Sequence, residues 1–317
     1  MQLRAKNTAV LPKKSNKSSM TGVKVAPYVF CAGFVMCFLT FQLFPILYTF
    51  YMSLTNWSPF NATTFIGLQN YIELFTDVRF LSALKNTAIL VAMITPVQAI
   101  LGLFIAVTLS RNFFPARNAF RLLNFMPYLT TPVALGVFFA ILFDPFFGYV
   151  NKALALLGIT GPDWTGDVWP ARFLVAIVTI WRWSGYTAVM LMAGITNISK
   201  DIYEAAEVDG ANEWQTFAKI TLPLLRPVLV FVILTNLIGC FQIFEEPLLL
   251  FGGGGSGASG VGGPRNAVLT GVWMMYDTAF GSIMRYGYGS AIAYGMFLVI
   301  GIVTIAFNKI VGLGREK

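Results

Sequence analysis

NISKDIYEAAEVDGANEWQTFAKITLPLLR, residues 197–226, is the stretch where acidic and basic residues crowd together: Lys200, Asp201, Glu204, Glu207, Asp209, Glu213, Lys219 and Arg226. It reads as two short helices. Asp201 with Glu204 three residues on fits a helix start, and Ala205 and Ala206 favour helix. Gly210 then turns the chain where a side chain would obstruct. In the second helix Trp214, Phe217, Ala218 and Leu222 recur at three- and four-residue spacing, which makes an apolar stripe. Pro223 and Pro227 lead into the next apolar run. On composition alone such an elbow either lies on lipid headgroups or docks on a partner.

Outward from the elbow the chain is apolar. Of its 317 residues 56% are hydrophobic and 11% charged, with a mean hydropathy of +0.69. A soluble chain carries about a quarter charged residues, and a disordered one is poor in aromatic and β-branched residues, so both classes are excluded in favour of an all-α integral membrane protein. Histidine is absent, which removes the commonest general base and metal ligand. Cys31, Cys37 and Cys240 sit inside apolar runs, where a thiol acts as a small hydrophobe. No catalytic residue and no metal site is expected.

A crossing needs roughly 20 apolar residues, and six runs qualify: Pro27–Met52, Asn86–Ser110, Leu122–Phe143, Phe173–Ile195, Pro227–Phe244 and Tyr288–Asn308, of which only the fourth holds a charge, Arg182. The segments between them alternate in basic content, fifteen Lys or Arg on one side against six on the other. The positive-inside rule then places both termini, and the 197–226 elbow, in the cytoplasm. The layout is a basic tail over 1–26, a six-span domain over 27–312 and a short tail over 313–317. The tail's Lys and Arg read as topology and contact with anionic lipid, not as a nucleic-acid site. The apolar run after Lys24 exceeds the roughly 7–15 residues of a signal h-region, so the first span is uncleaved.

Two outer segments have character. Trp57, Pro59, Phe65, Gly67, Asn70 and Tyr71 mix interface aromatics with turn residues. GGGGSGASGVGG, residues 252–263, is not followed by Gly-Lys-Ser/Thr, so it is a flexible linker with no phosphate-binding role.

Glu204-Ala205-Ala206, three residues, Gly210, nine residues, Ile220, one residue, Leu222-Pro223 resembles in full the E-A-A-x3-G-x9-I-x-L-P loop of permease subunits of ATP-binding-cassette (ABC) importers. With Tyr203, Asp209, Ala211 and Phe217 it resembles the carbohydrate-importing, maltose-permease branch. Residues 65–71 (FIGLQNY), Asn86-Thr87, Met126-Pro127-Tyr128 and Gly262-Gly263-Pro264 with Thr270 are similar to further landmarks of that branch. The resemblance implies a bacterial cytoplasmic-membrane protein that pairs with a second, related permease. It also implies two cytoplasmic ATPase subunits, which carry ATP and Mg, and an extracytoplasmic sugar-binding protein. Glu204, Ala205, Ala206, Asp209, Gly210, Ala211, Ile220, Leu222 and Pro223 would form the ATPase-coupling elbow, and this chain would bind no cofactor of its own.

Polar groups inside spans usually face a cavity or another helix. Pro127, Tyr128, Thr130, Thr131 and Pro132 interrupt the third span, which requires a kink or a binding surface, and the resemblance makes Tyr128 the leading sugar-path residue. Trp181, Arg182, Trp183, Gly185 and Tyr186 in the fourth span combine stacking faces with hydrogen-bonding groups. In the fifth, Asn236, Gly239 and Gln242 share a side at three-residue spacing. The resemblance puts Gly239 and Gln242 on the path, where the maltose-permease pattern has asparagines. The expected path is therefore Tyr128, Thr131, Trp181, Trp183, Gly185, Tyr186, Gly239, Gln242 and Glu245. Glu245 and Glu246 either bind hydroxyls or pair with Arg182 or Arg265, and pairing is favoured because an unpartnered charge near hydrocarbon is unfavourable. An ion-coupled secondary transporter needs no such elbow and commonly shows inverted repeats, none of which is visible. A lipid-modifying enzyme would want an acidic or histidine constellation, and only Glu245 and Glu246 approach one.

Overall fold

The computed structural model describes residues 18–110, 116–252, 260–282 and 284–311. Most of the basic tail, residues 253–259 of the Gly-rich run and the last residues lie outside them. The helices are α1 (Ser18–Phe38), α2 (Phe44–Ser53), α3 (Gln69–Thr76), α4 (Val78–Ser110), α5 (Arg117–Leu129), α6 (Pro132–Leu142), α7 (Tyr149–Leu156), α8 (Val168–Thr196), α9 (Lys200–Val208), α10 (Glu213–Thr216), α11 (Leu222–Phe241), α12 (Glu245–Phe251), α13 (Gly271–Phe280) and α14 (Tyr286–Val311). Among the described residues β-pairing is confined to isolated bridges such as Thr55 with Phe65. The described residues up to Tyr51 form one compact unit and those from Met52 on form another.

In the first unit α1 begins before Pro27, inside the segment read as a tail, and joins α2 through a π-helical turn, Leu39–Leu43. Phe44 N–H reaches back to Leu39 O across that turn. The cause is Pro45, which has no N–H to donate and crowds the preceding turn. The same device recurs in the second unit, where the π turn Phe217–Thr221 precedes Leu222-Pro223 and Leu222 N–H bonds to Phe217 O. Neither turn was legible as more than a proline in a helical run.

The second unit is built on α4 against α8. In hydrocarbon, polar side chains join helices by bonding to one another. Gln98 of α4 donates to Thr187 Oγ1 of α8 at 3.0 Å, and Asn236 Nδ2 of α11 lies 3.3 Å from the same oxygen. The largest buried side chains, among them Trp273, Phe251, Leu90 and Leu174, fill one core under α3, α4, α8 and α11–α14.

Among the described residues five stretches are long and apolar enough to cross a membrane, and a sixth results if α5 and α6 count as one span. That third span is broken where its prolines led the sequence reading to expect an interruption. α5 and α6 are bent by 96°. Thr131 takes an extended backbone (ψ 137°) ahead of Pro132, the conformation a following proline imposes, and Thr130 is likewise extended.

The helix ends around Asn86, Arg172 and Thr270 are fastened by the residues noted as landmarks. Asn86 Nδ2 donates to Asn266 O at 2.7 Å and Leu269 O at 3.3 Å, while its Oδ1 accepts from Arg172 Nη2 at 2.8 Å. Arg172 Nε donates to Ala267 O at 3.1 Å. Thr87 Oγ1 accepts from Gly271 N–H at 3.1 Å, and Thr270 Oγ1 donates to Ile243 O at 2.8 Å. The end of the Gly-rich run, read as linker, is thus an ordered turn: Gly260, Gly262 and Gly263 take positive φ, and Val268 to Thr270 are wholly buried behind them. Asn86→Ala leaves two carbonyls and a buried guanidinium short of partners, at about 1–3 kcal/mol per unsatisfied group. It is expected to lower the melting temperature in detergent, whereas a change at exposed Gln69 is not. An unaltered melting curve for Asn86→Ala removes the clamp role.

Candidate functional site

The elbow is more specific than its sequence pattern. Ser199, not Asp201, caps α9, its Oγ accepting from Asp201 N–H at 3.3 Å. Asp201 occupies the first turn, where a negative charge suits the helix dipole. At the other end Gly210 has φ +76°. Its N–H bonds to Glu207 O at 3.0 Å, and Ala211 N–H to Ala206 O at 2.9 Å, the paired bonds of a Schellman cap. Asn212 and Gln215 then form a reciprocal capping box that restarts the helix. It was missed in the sequence although Asn-x-x-Gln was there to be read.

From Glu213 the helix continues through the π turn into α11, and the whole run to Phe251 counts as one apolar stretch. The second elbow helix is therefore the N-terminal end of the fifth span, not a separate short helix. Tyr203 OH lies 3.3 Å from Thr221 Oγ1, tying α9 to it. Glu204, Ala205, Asp209, Gly210 and Pro223 are exposed; Ala206 is buried; Ala211, Ile220 and Leu222 are half-buried. Close approach by a partner can thus involve Ala205, while Ala206 packs within the chain. Trp214 at the start of the apolar stripe is 72% exposed while Phe217, Ala218 and Leu222 are half-buried, so only the Trp214 end of the stripe is left unspent on the protein's own core.

In the spans, Tyr128 of α5 meets Trp183 and Tyr186 of α8 at ring-centroid distances of 5.2 and 5.1 Å, with Trp183 and Tyr186 6.0 Å apart. All three are half-buried. The cluster continues into an ion triad: Trp183 Nε1 is 3.3 Å from Glu246 Oε1, and Arg182 Nη1 donates to Glu246 Oε1 at 2.9 Å and Glu245 Oε2 at 3.0 Å. Of the two pairings open in the sequence, Arg182 is the partner. Arg182 Nε is buried without a hydrogen bond among the described residues. A charge cluster left partly unsatisfied within a span is costly, which favours a functional over a purely structural origin.

Other expected path residues lie elsewhere. Trp181 faces away from Trp183 and packs edge-on against Phe139 at 5.3 Å. A Cβ on Gly185 would sit 1.8 Å from Asn124 O, so this glycine permits α5 to lie against α8 and is a packing residue. Thr131 is exposed at the α5–α6 break. Asn236 does not share a side with Gly239 and Gln242: it is buried on Thr187, and the other two are exposed. Each three-residue step turns about 60° back around a helix of 3.6 residues per turn, enough over two steps to leave the face. Among the described residues no three acidic or cysteine side chains converge as a metal site.

A sequence model for the binding-protein-dependent transport system inner membrane component matches residues 98–315. The chain is similar to the arabinooligosaccharides transport system permease protein AraP of Bacillus subtilis (strain 168), at 34% identity over 91% of this chain and 89% of AraP. It is 31% identical to the lactose transport system permease protein LacF of Rhizobium radiobacter, over 87% of this chain and 91% of LacF. The fold is similar to a chain of a bacterial ABC transporter involved in the import of the acidic polysaccharide alginate, with a TM-score of 0.79 at 19% identity, covering 95% of this chain and all of that one.

Proposed function

Because this chain belongs to the family of binding-protein-dependent transport system inner membrane components, we propose that it forms half of the path by which an oligosaccharide enters the cell. It is a transport subunit and not an enzyme. The observation that carries the sugar reading is the Tyr128–Trp183–Tyr186 cluster continuous with the Arg182–Glu245–Glu246 triad. Aromatic faces beside oriented charged groups suit a molecule with apolar ring faces and a hydroxyl rim. The names of AraP and LacF support the same class.

The proposed assembly is this permease, a second related permease and two ATPase subunits that hold ATP and Mg, served by an extracytoplasmic binding protein. The elbow, exposed at Glu204, Ala205 and Asp209, would enter the ATPase. Both termini would be cytoplasmic, from the fifteen-to-six imbalance of basic residues. Alternating access is then driven by a partner, with α9 and the α10–α11 run as the lever. Vesicle uptake that survives an uncoupler and needs ATP is the expected result, and uptake abolished by the uncoupler with ATP intact overturns it.

Alanine at Tyr128, Trp183 or Gln242 is expected to reduce sugar uptake about tenfold, equivalent to about 1.4 kcal/mol, while the permease pair still co-purifies. Gln242, the exposed residue that ends α11, represents the fifth span in this set. Unchanged uptake in all three variants moves the path elsewhere.

A further inference from the structure

A cleft of about 560 Å³ opens between the 56–70 loop, α3 and the start of α14, within the range of about 300–1000 Å³ typical of small-molecule sites. Asn56, Trp57, Asn61, Gln69, Glu73 and Arg285 line it, and it shares no lining residue with the Tyr128 cluster. Its walls come from the two segments that charge counting assigns to the outer side, 53–85 and 245–287.

The cleft is built in place. Asn70 donates from Nδ2 to Ser53 O and Thr55 O, both at 2.8 Å, fixing the loop to the start of α3. Gly287 N–H donates to Trp57 O at 3.1 Å, and a Cβ on Gly287 would lie 2.1 Å from Thr55 O, so loop and α14 are in backbone contact. Trp57 is braced by the Tyr286 ring at 4.6 Å. Arg285 makes two bonds of 2.6 Å to the two Glu73 oxygens and stacks at 4.5 Å over Tyr288, whose hydroxyl donates to Asp77 at 2.7 Å.

The lining has no excess charge, because Glu73 and Arg285 cancel. It offers planar amides instead: Asn61 and Gln69 are exposed, and their side chains make no hydrogen bond among the described residues. Neutral amides, a fixed carboxylate–guanidinium pair and a braced indole are a donor, acceptor and stacking set for vicinal hydroxyls on an apolar ring. They offer no net charge to an anion or a cation. We propose that this cleft is a second saccharide site, outside the membrane-embedded path, that takes a neutral sugar unit on its way from the binding protein to Tyr128. The inference rests on the sugar-import reading.

The test is hydrogen exchange on the assembled transporter in nanodiscs, with lactose and arabinotriose each supplied alone, alongside uptake of the same two sugars. At least one sugar is expected to slow exchange severalfold over residues 54–73 and 284–290. The Asn61→Ala/Gln69→Ala double variant, which breaks no bond within the chain, is expected to lose that protection and keep protection around Tyr128 and Trp183. Absence of protection over 54–73 in a transporter that imports either sugar overturns the cleft and leaves the import reading standing. Protection that persists in the double variant also overturns the cleft. Uptake of neither sugar counts against the import reading and takes this inference with it. A double variant that keeps the protection but releases the binding protein makes the cleft a docking surface and overturns the saccharide site.

Discussion

Gly210→Val is expected to leave the protein inserted and, in the proposed assembly, paired with a second permease, but to abolish transport, with binding-protein-stimulated ATP hydrolysis falling in step. The reason lies in the backbone. Gly210 holds φ +76° with open space around it, so a side chain meets no obstacle within the chain, yet a β-branched residue is a genuine outlier at positive φ. Left-handed backbone costs an L-residue roughly 1–2 kcal/mol. The two bonds of the cap, Gly210 to Glu207 and Ala211 to Ala206, contribute only about 0.5–1.5 kcal/mol each. Strain and cap are of equal size, so valine lets the α9 end unwind and the lever loses its fixed angle to α10. Asparagine tolerates the left-handed region, and Gly210→Asn separates two causes. Retained transport assigns the glycine to backbone freedom, and lost transport with ATPase detachment assigns it to close approach by the partner. Normal uptake and normal ATPase retention in Gly210→Val would mean that Glu204–Pro223 is not a coupling elbow.

The elbow was legible because its signals are local. A cap, a turn glycine and an apolar stripe are written within a few residues of where they act; the N-cap was misplaced by two residues, at Asp201 in place of Ser199, and the Asn212–Gln215 capping box and the continuity of the second helix with the fifth span were not read. What the sequence hid depends on neighbours far along the chain. Gly185 stands among Trp181, Trp183 and Tyr186, which suggests a ligand, but its close neighbour is the backbone of Asn124, and no local pattern distinguishes these. Asn86 and Thr270 were recognisable only as landmarks. Their reason is the clamp in which Asn86 reaches residues some 180 positions away and Thr270 reaches Ile243. Prolines marked the third-span break but not its 96° angle, since Pro27 lies inside a helix while Pro132 starts one. The outer cleft joins Glu73 to Arg285, a pair that charge counting treats as two separate loop residues.

The second large effect is at Arg182, whose guanidinium serves two carboxylates of unequal exposure. Glu246 has a side chain 8% exposed, and Glu245 one 53% exposed. Arg182→Ala removes the cation and leaves Glu246 with the Trp183 N–H at 3.3 Å as its remaining donor. Breaking a buried pair in this way costs about 3–5 kcal/mol, enough to lose most of the folded protein on extraction. Glu245→Gln is expected to change stability little, because a carboxylate that meets solvent gains about 0–1 kcal/mol from its partner. The discriminating variant is Arg182→Met with Glu246→Gln. Removing both buried charges together avoids the unpaired one, so the melting temperature should recover to near the parent value. Uptake is then the informative reading. If it stays low in the recovered protein, the triad acts in transport, as its unsatisfied Nε and its contact with Trp183 lead us to expect. Full recovery of uptake reduces the triad to a fastening between α8 and α12, and an Arg182→Ala protein as stable as the parent overturns the pairing itself.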